Sequence, residues 1–339
     1  MTKLWQKSRP KGQAPRAEEI DLQQLNISSP TIIFLSGIFT TDNKPQNALD
    51  GIAEIENLIE GHSGIRQAPK IYALTHKNLR NIFNVVAYNA HPDHAYSKAA
   101  EKISKAVILP LVLDDKKQPL PEEKAAQNLC HVTLVGYSAG TVFGQEMFNA
   151  ALKQMTQAGY AENKARDLLG EVVLISMATV SRPMREHGRF TTIYLAATND
   201  IAVRLKERIW NPLRRIFRKA TEELVIRPLS QTSLLITAAV HSKMWHWHQT
   251  PDGTTQKKDI TPLLPRWMRI RSHHEMPHYT SADHDHSPFA RIVLTSLVNA
   301  LNRVGKMDVR HLLAPPDHDT TPENTLYKNR IHGAFLKAA

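Results

Sequence analysis

The chain has 339 residues, 42% of them hydrophobic and 22% charged, and it carries a net charge of +11. These proportions are typical of a globular protein with a large core, built as one domain with an insertion or as two domains. No run of 18 apolar residues occurs and the start is polar and basic, so we expect neither a membrane-spanning helix nor a secretory signal peptide.

Charge and cysteine content restrict the partners and the compartment. The positive charge favours anionic partners such as phospholipid headgroups or nucleic acid, and solubility explains it equally well. Aromatic residues do not interleave the basic ones as they do in known nucleic-acid readers, so we expect no nucleic-acid partner. Cys130 is the single cysteine, which excludes an internal disulfide and is typical of a cytoplasmic protein.

The first elements of the chain are an irregular segment and an apolar run. Residues 1–30 contain Pro10, Pro15 and mixed charges without periodicity, which predicts a flexible basic arm. Residues 31–35 are apolar and β-branched, which predicts the first buried strand. The fold is therefore expected to begin at this strand.

Strands and helices then alternate. Apolar residues recur at helical spacing over 46–60, and residues 84–88 form a short apolar run that predicts a strand. A second helix is predicted over 99–113, broken or ended at Pro110, and a short helix over 122–129. This alternation predicts a parallel sheet with helices on both faces.

Residues 131–155 carry the strongest motif. The run from Val132 to Val135 predicts a buried strand, and helical spacing of apolar residues follows up to Met155. Between them stands Gly136-Tyr137-Ser138-Ala139-Gly140, where the glycines lack the bulk that a sharp strand-to-helix turn excludes. Such a turn presents the Ser138 hydroxyl above the start of a helix, whose free amides and dipole favour a developing anion.

This stretch resembles the nucleophile elbow of the α/β-hydrolase superfamily, of the serine esterase and lipase type. The resemblance covers residues 31–305 and implies an α/β fold with a mostly parallel central sheet, helices on both faces and a helical insertion or lid. It implies Ser138 as the nucleophile. It also implies an oxyanion hole formed by the backbone N–H of Ala139 and that of Ile38, or of Phe39 if the register differs by one residue.

The resemblance also implies an acid. Residues 171–176 and 191–197 predict two further buried strands, and Asp200 follows the second of them. A carboxylate just past the second strand after the nucleophile is where this superfamily keeps the acid that orients the catalytic histidine. An aspartate that only caps a helix or closes a turn is the alternative.

The histidine follows from the predicted end of the domain. Residues 267–271 predict a last strand, and apolar spacing predicts a helix from Phe289. In the superfamily the catalytic histidine precedes the last helix by a few residues. His286 fits this position best and His284 is its rival, whereas His278 and His274 need a longer loop.

Residues 201–265 are predicted to form the helical insertion or lid. Its first part, 204–219, reads as a cationic amphipathic helix, which either lies on an anionic membrane or packs on its own domain. Trp245 and Trp247, further along, are candidates for the wall of an acyl pocket. So are two aromatic residues close to the elbow and to the first strand, Tyr137 and Phe39.

A metal site is the main alternative chemistry. Residues 283–286 read Asp-His-Asp-His, a set of possible metal ligands. The alternation lacks the i,i+4 spacing and the cysteines that make a zinc signature specific, so we expect no metal and no cofactor.

The favoured interpretation is a hydrolase of carboxylic esters, acting on an acyl lipid or a similar ester through Ser138, His286 and Asp200. An acyltransferase or a thioesterase with the same triad, and a non-catalytic hydrolase-like protein that binds anionic partners, remain as alternatives. Residues 306–339 contain Pro315-Pro316 and are expected to be a C-terminal appendage.

Overall fold

A computed structural model describes most of the predicted domain. The described residues are 2–9, 14–22, 25–37, 45–60, 62, 64–76, 96–180, 189–197, 200, 224–238, 245–249, 255–259, 276–280, 289–314, 327–329, 331 and 332.

A nine-stranded sheet organises the described part of the chain. Its strands are β1 Thr2–Ser8, β2 Arg16–Ile20, β3 Thr31–Leu35, β4 Lys70–His76, β5 Val132–Tyr137, β6 Val173–Met177, β7 Thr191–Ala197, β8 Val225–Ser230 and β9 Ser233–Ala238. Their order in the sheet is β2-β1-β4-β3-β5-β6-β7-β9-β8. The six strands β4-β3-β5-β6-β7-β9 run parallel to one another, whereas β1 and β2 at one edge and β8 at the other pair antiparallel with their neighbours.

The helices cover this sheet. They are α1 Pro45–Ile59, α2 Lys98–Val107, α3 Leu109–Val112, α4 Glu122–Leu129, α5 Ala139–Gln157, α6 Glu162–Leu169, α7 Pro277–Thr280 and α8 Phe289–Asn302, followed by a 3-10 helix at Val309–Leu313. The predicted helix over 99–113 is thus two helices, α2 and α3, and Pro110 lies in the first turn of α3.

Two hydrophobic clusters lie on opposite faces of the sheet. In β3, Ile32 and Phe34 pack with α1 and α8, while Ile33 and Leu35 pack with α2, α5 and α6. Successive residues of a strand point to opposite faces, so this alternation means that helices cover both sides. The prediction of a mostly parallel sheet with helices on both faces is confirmed.

The prediction of a flexible arm over residues 1–30 is wrong. Residues in this range form β1 and β2, which extend the sheet beyond β4. Leu4 packs in one hydrophobic cluster and Trp5 in the other, and the Trp5 Nε1–H donates a hydrogen bond to Thr75 Oγ1 at 2.7 Å. Because Leu4 and Trp5 are adjacent and each is buried on a different face of the sheet, the sequence here does not show the alternation of apolar and polar residues that predicts a strand.

β4 was not predicted from the sequence. It pairs in parallel with β3 and contains the buried residues Tyr72, Ala73 and Leu74. The strand that the sequence predicts over 84–88 lies outside the described residues, as does the strand predicted over 267–271.

The prediction of a helical insertion over 201–265 is wrong for its described residues, which are strands. β8 and β9 belong to the central sheet, and β9 runs parallel to β7. Leu234, Ile236 and Ala238 alternate along β9 with their side chains in the core, which is the pattern of a sheet strand. Two further strands, β10 Trp245–Gln249 and β11 Thr255–Asp259, form a separate antiparallel pair.

The C-terminal segment is more than an appendage in its described part. Val309, Leu312 and Leu313 of the 3-10 helix are buried in the same cluster as α8, together with Tyr327 and Ile331. None of the described helices has the length and the apolar content to cross a membrane.

Candidate active site

Ser138 stands at the junction of β5 and α5 in a strained backbone conformation. Its φ is 53° and its ψ is −119°, a region that residues with a side chain rarely adopt. It is the N-cap residue of α5, so Ala139 is the first residue of the helix. The sharp strand-to-helix turn that the sequence predicts at Ser138, called the elbow below, is therefore present.

Three glycines make this geometry possible. A Cβ on Gly140 would lie 2.0 Å from the Leu35 carbonyl oxygen, and a Cβ on Gly136 would lie 2.9 Å from the Gly140 carbonyl oxygen. A Cβ on Gly37 would lie 3.0 Å from the Ser138 Cβ. The end of β3 is thus packed directly against the elbow, and side chains at these positions would push the two apart.

Hydrogen bonds fix the elbow on both sides of Ser138. Its backbone N–H donates to the Met177 carbonyl oxygen at 3.0 Å, across the β5–β6 pair. Its carbonyl oxygen accepts from the Thr141 backbone N–H at 3.0 Å and from Thr141 Oγ1 at 2.6 Å. The hydroxyl group of Ser138 is thereby carried on a rigid main chain, and only 5% of the residue is exposed.

The predicted oxyanion hole is described in part. Ala139 is at the first position of α5, where the backbone N–H groups have no partner in the helix and the dipole is positive. Ile38 and Phe39, the candidates for the second donor, lie outside the described residues. Their neighbour Gly37 lies against Ser138, so the chain enters that segment beside this serine.

A second strained residue stands next to the elbow on the adjacent strand. Ala178, directly after β6, has a φ of 49° and is fully buried. The residues around it are tied down, because Thr179 N–H donates to the Leu195 carbonyl oxygen at 3.1 Å and Ser176 Oγ donates to Thr179 Oγ1 at 3.0 Å. No sequence pattern predicts this conformation, since alanine is not a turn residue.

Asp200 lies at the end of β7 and is fully buried. Its backbone N–H donates to the Ala197 carbonyl oxygen at 3.1 Å, which closes a turn at the carboxyl end of the strand. β7 is two strands away from β5 in the sheet, a separation of roughly 10 Å. Asp200 and Ser138 therefore follow strands of the same parallel block, at its carboxyl edge.

Tyr279, which the sequence analysis did not single out, contacts Asp200. Its hydroxyl donates to Asp200 Oδ2 at 3.4 Å and accepts from the Ala197 backbone N–H at 3.2 Å. Burial raises the pKa of the Tyr279 phenol well above its usual value, and the nearby Asp200 carboxylate and Tyr137 raise it further. The phenol therefore stays protonated and remains a hydrogen-bond donor at any pH at which the protein works.

The predicted catalytic histidines, His286 and its rival His284, lie outside the described residues, as does His274. The two described residues that flank their segment are Thr280 and Phe289. The Phe289 ring stacks on that of Tyr279 with a centroid distance of 5.1 Å. The described residues on either side of segment 281–288 therefore lie beside Tyr279, whose side chain contacts Asp200. His278 belongs to α7, and its side chain is outside the described part.

The pocket candidates are described unevenly. Tyr137, the last residue of β5, is partly buried and packs against the cluster that contains α1 and α8. Trp245 and Trp247 lie in β10, where their backbones pair with Asp259 and Lys257 of β11. Phe39 is outside the described residues, so a pocket wall of these four residues stays a prediction.

The described ranges contain no group of three or more histidine, cysteine or acidic residues placed to hold a metal ion. The Asp-His-Asp-His segment at 283–286 and the predicted amphipathic helix over 204–219 both lie outside these ranges. A search with models of protein families and a search of curated proteins found no match to the chain.

Proposed function

We propose that the protein is a serine hydrolase that cleaves carboxylic esters, with acyl lipids or similar esters as substrates. The observation that carries the proposal is the backbone of Ser138, strained at φ 53° and ψ −119° at the head of α5 within its frame of glycines. Strain of this kind costs of order 1–3 kcal/mol and persists where it presents a functional group. A surface serine at an ordinary turn needs neither a strained backbone nor three glycines in close contact with neighbouring atoms.

The proposed reaction uses Ser138, a histidine and two backbone N–H groups. A histidine takes the proton of Ser138, and Oγ attacks the ester carbonyl while the carbonyl π electrons move to its oxygen. The Ala139 N–H, with a second backbone N–H from the segment after Gly37, binds this oxyanion. The imidazolium then gives its proton to the leaving alkoxide, which departs as the alcohol. In the second half of the reaction the histidine takes a proton from water, the hydroxide attacks the acyl carbonyl, and the imidazolium returns the proton to Ser138 Oγ as the acid is released.

Asp200 acts on the histidine. Its carboxylate accepts the Nδ1–H of the imidazole, which fixes the tautomer and stabilises the imidazolium. His286 is the proposed base and His284 its rival. Their segment is supported in this role by its flanking residues, since Phe289 stacks on Tyr279 and Tyr279 contacts Asp200.

The test is ester hydrolysis by a set of single variants. Wild type, Ser138→Ala, His286→Ala and His284→Ala are compared with a short-chain and a long-chain p-nitrophenyl ester. We expect Ser138→Ala and one histidine variant to lose at least about a thousandfold in kcat/KM. A preference for the long chain supports a lipase, and product formed with an added alcohol as acceptor supports an acyltransferase.

A matched control and a probe complete the design. Ser104 is a buried serine on α2 whose hydroxyl donates to Gln154 Oε1 near the far end of α5, so Ser104→Ala should keep wild-type activity. A fluorophosphonate probe should label Ser138 in the wild type and no residue in Ser138→Ala. Wild type that neither hydrolyses the esters nor takes up the probe would contradict the proposal, and activity lost in a chelator would favour metal chemistry instead.

A further inference from the structure

Tyr279 forms a closed ring of hydrogen bonds with the end of β7. Its hydroxyl oxygen accepts from the Ala197 N–H at 3.2 Å, and its O–H donates to Asp200 Oδ2 at 3.4 Å. The Asp200 N–H in turn donates to the Ala197 carbonyl oxygen at 3.1 Å. A backbone N–H can only donate, so the phenol proton is directed away from Ala197 and towards the carboxylate.

The ring of Tyr279 is itself held from two other elements. It stacks on Phe289 at the start of α8 with an angle of 18° between the planes. The next residue, Thr280, donates from Oγ1 to Glu54 Oε2 of α1 at 2.9 Å. The Tyr279 hydroxyl therefore stays in place if the Asp200 side chain rotates, and its hydrogen bond favours one orientation of the Asp200 carboxylate.

Packing alone does not require this hydroxyl. Tyr279 is fully buried among apolar residues, and burying a hydroxyl group costs free energy unless it is hydrogen-bonded. A phenylalanine would fill the same space and make the same stack on Phe289. The position of the O–H between a strand end and a buried carboxylate thus indicates a role in orienting that carboxylate.

We propose that Tyr279 is the positioning residue of the acid, which sets the orientation of the Asp200 carboxylate towards the catalytic histidine. This inference rests on the proposed function of the Ser138 site. It goes beyond it by adding a fourth side chain to the triad, one that also contacts Phe289, the residue at which the segment with His284 and His286 rejoins the fold. An aspartate that turns away from the imidazole leaves it in the wrong tautomer, so the cost is expected in the chemical step.

The test is a double-mutant cycle with Tyr279→Phe, Asp200→Asn and the double variant, measured as kcat and KM on the ester that the wild type hydrolyses best. Tyr279→Phe should lower kcat by about ten- to a hundredfold, as expected for a lost hydrogen bond to a charged group, and should leave KM within about twofold. In the Asp200→Asn background, the same substitution should cause no further loss, because residues that act through each other are not additive.

Tyr327→Phe is the matched control. Tyr327 is a buried tyrosine of the same cluster, and its hydroxyl donates to the Leu313 carbonyl oxygen at 3.3 Å rather than to Asp200. It should show a comparable change in Tm and wild-type kcat. If Tyr279→Phe does not fold, Thr280→Val replaces it, since loss of the bond to Glu54 loosens α7 and should lower kcat several-fold.

The outcomes separate this inference from the proposed function. Wild-type kcat in Tyr279→Phe, or in Thr280→Val where that variant stands in, overturns the role of Tyr279 and leaves the hydrolase intact. A kcat loss that is fully additive with Asp200→Asn overturns it as well, because it shows an effect that does not pass through the acid. A wild type that is inert towards esters and the fluorophosphonate probe removes both proposals.

Discussion

The backbone N–H of Ser138 donates to the carbonyl oxygen of Met177 at 3.0 Å and so ties the elbow to the end of the neighbouring strand. Both ends of this hydrogen bond adjoin strained main chain. Ser138 has a φ of 53°, and Ala178, the residue after Met177, has a φ of 49°. Strain at two adjacent strand ends persists only where the packing around them determines the conformation, and here the buried strands β5, β6 and β7 provide that packing.

Replacing Ser138 by glycine should therefore stabilise the fold while it removes the hydroxyl group of the proposed nucleophile. Glycine adopts a positive φ without strain, whereas alanine keeps the unfavourable conformation. We expect Ser138→Gly to have a free energy of unfolding about 1 kcal/mol higher than that of Ser138→Ala. Urea unfolding followed by circular dichroism measures the difference. Equal stabilities of the two variants would mean that the elbow is not strained in solution.

Gly140 should be far less tolerant of a side chain than Gly144 in the same helix. A Cβ at position 140 would lie 2.0 Å from the rigid backbone oxygen of Leu35, whereas a Cβ at position 144 would meet the movable Leu174 side chain at 3.0 Å. We expect Gly140→Ala to cost about 3 kcal/mol or more and to abolish labelling of Ser138, and Gly144→Ala to stay within about 1 kcal/mol of wild type.

Comparison of the two glycine variants by urea unfolding and by probe labelling checks this prediction. Both are Gly→Ala changes in α5, so the gain in helix propensity is the same and only the close approach to β3 differs. Similar losses in both variants would show that α5, rather than its junction with β3, controls the site.

The sequence predicts the strand-to-helix turn at Ser138 well and several strands outside the centre of the sheet poorly, for a physical reason. The order of strand, glycine-framed serine and helix is local, so the spacing within residues 131–155 is enough to recognise it. The places of β1, β4 and β9 depend on pairing between distant segments, which no local pattern records. Tyr279 was missed for the same reason, since 79 residues separate it from Asp200.

The N-terminal strand offers a direct test of one such correction. Trp5 is 4% exposed and hydrogen-bonded to Thr75, so Trp5→Ala should lower the free energy of unfolding by about 3–5 kcal/mol. Lys3→Ala is the control on the same strand. It removes the ion pair with Glu19, in which the Lys3 and Glu19 side chains are 26% and 47% exposed, and the contact of the Lys3 ammonium with the Trp5 ring, 5.3 Å from its centroid. Together these should cost less than about 2 kcal/mol. A flexible arm would give no change in either variant.

Cys130 should be unreactive in the folded protein. It is the C-cap residue of α4, and its thiol donates to Glu171 Oε2 at 3.3 Å. Burial raises the pKa of the Cys130 thiol to about 11, with a further increase from the charge of Glu171. Since only the thiolate is nucleophilic, alkylation by iodoacetamide at pH 8 should be about a hundredfold slower in the folded than in the urea-unfolded protein. Equal rates, read by mass spectrometry, would contradict this assignment.

The same thiol should make the fold less stable in alkaline solution. Its pKa is about 11 when folded and near 9.0 when unfolded. Below pH 9 both states hold the proton and the contribution is constant. As the pH rises from 9 to 11, the unfolded state loses the proton first, so stability falls, by at most about 2 kcal/mol because part of the group is screened by water. The control is Cys130→Ser, which keeps a hydroxyl donor for Glu171 and does not titrate in this range. The difference between its pH profile and that of the wild type therefore isolates the thiol from the buried tyrosines. Parallel profiles of the two proteins between pH 9 and 11 would show that Cys130 is ionised as readily in the folded state as in the unfolded chain.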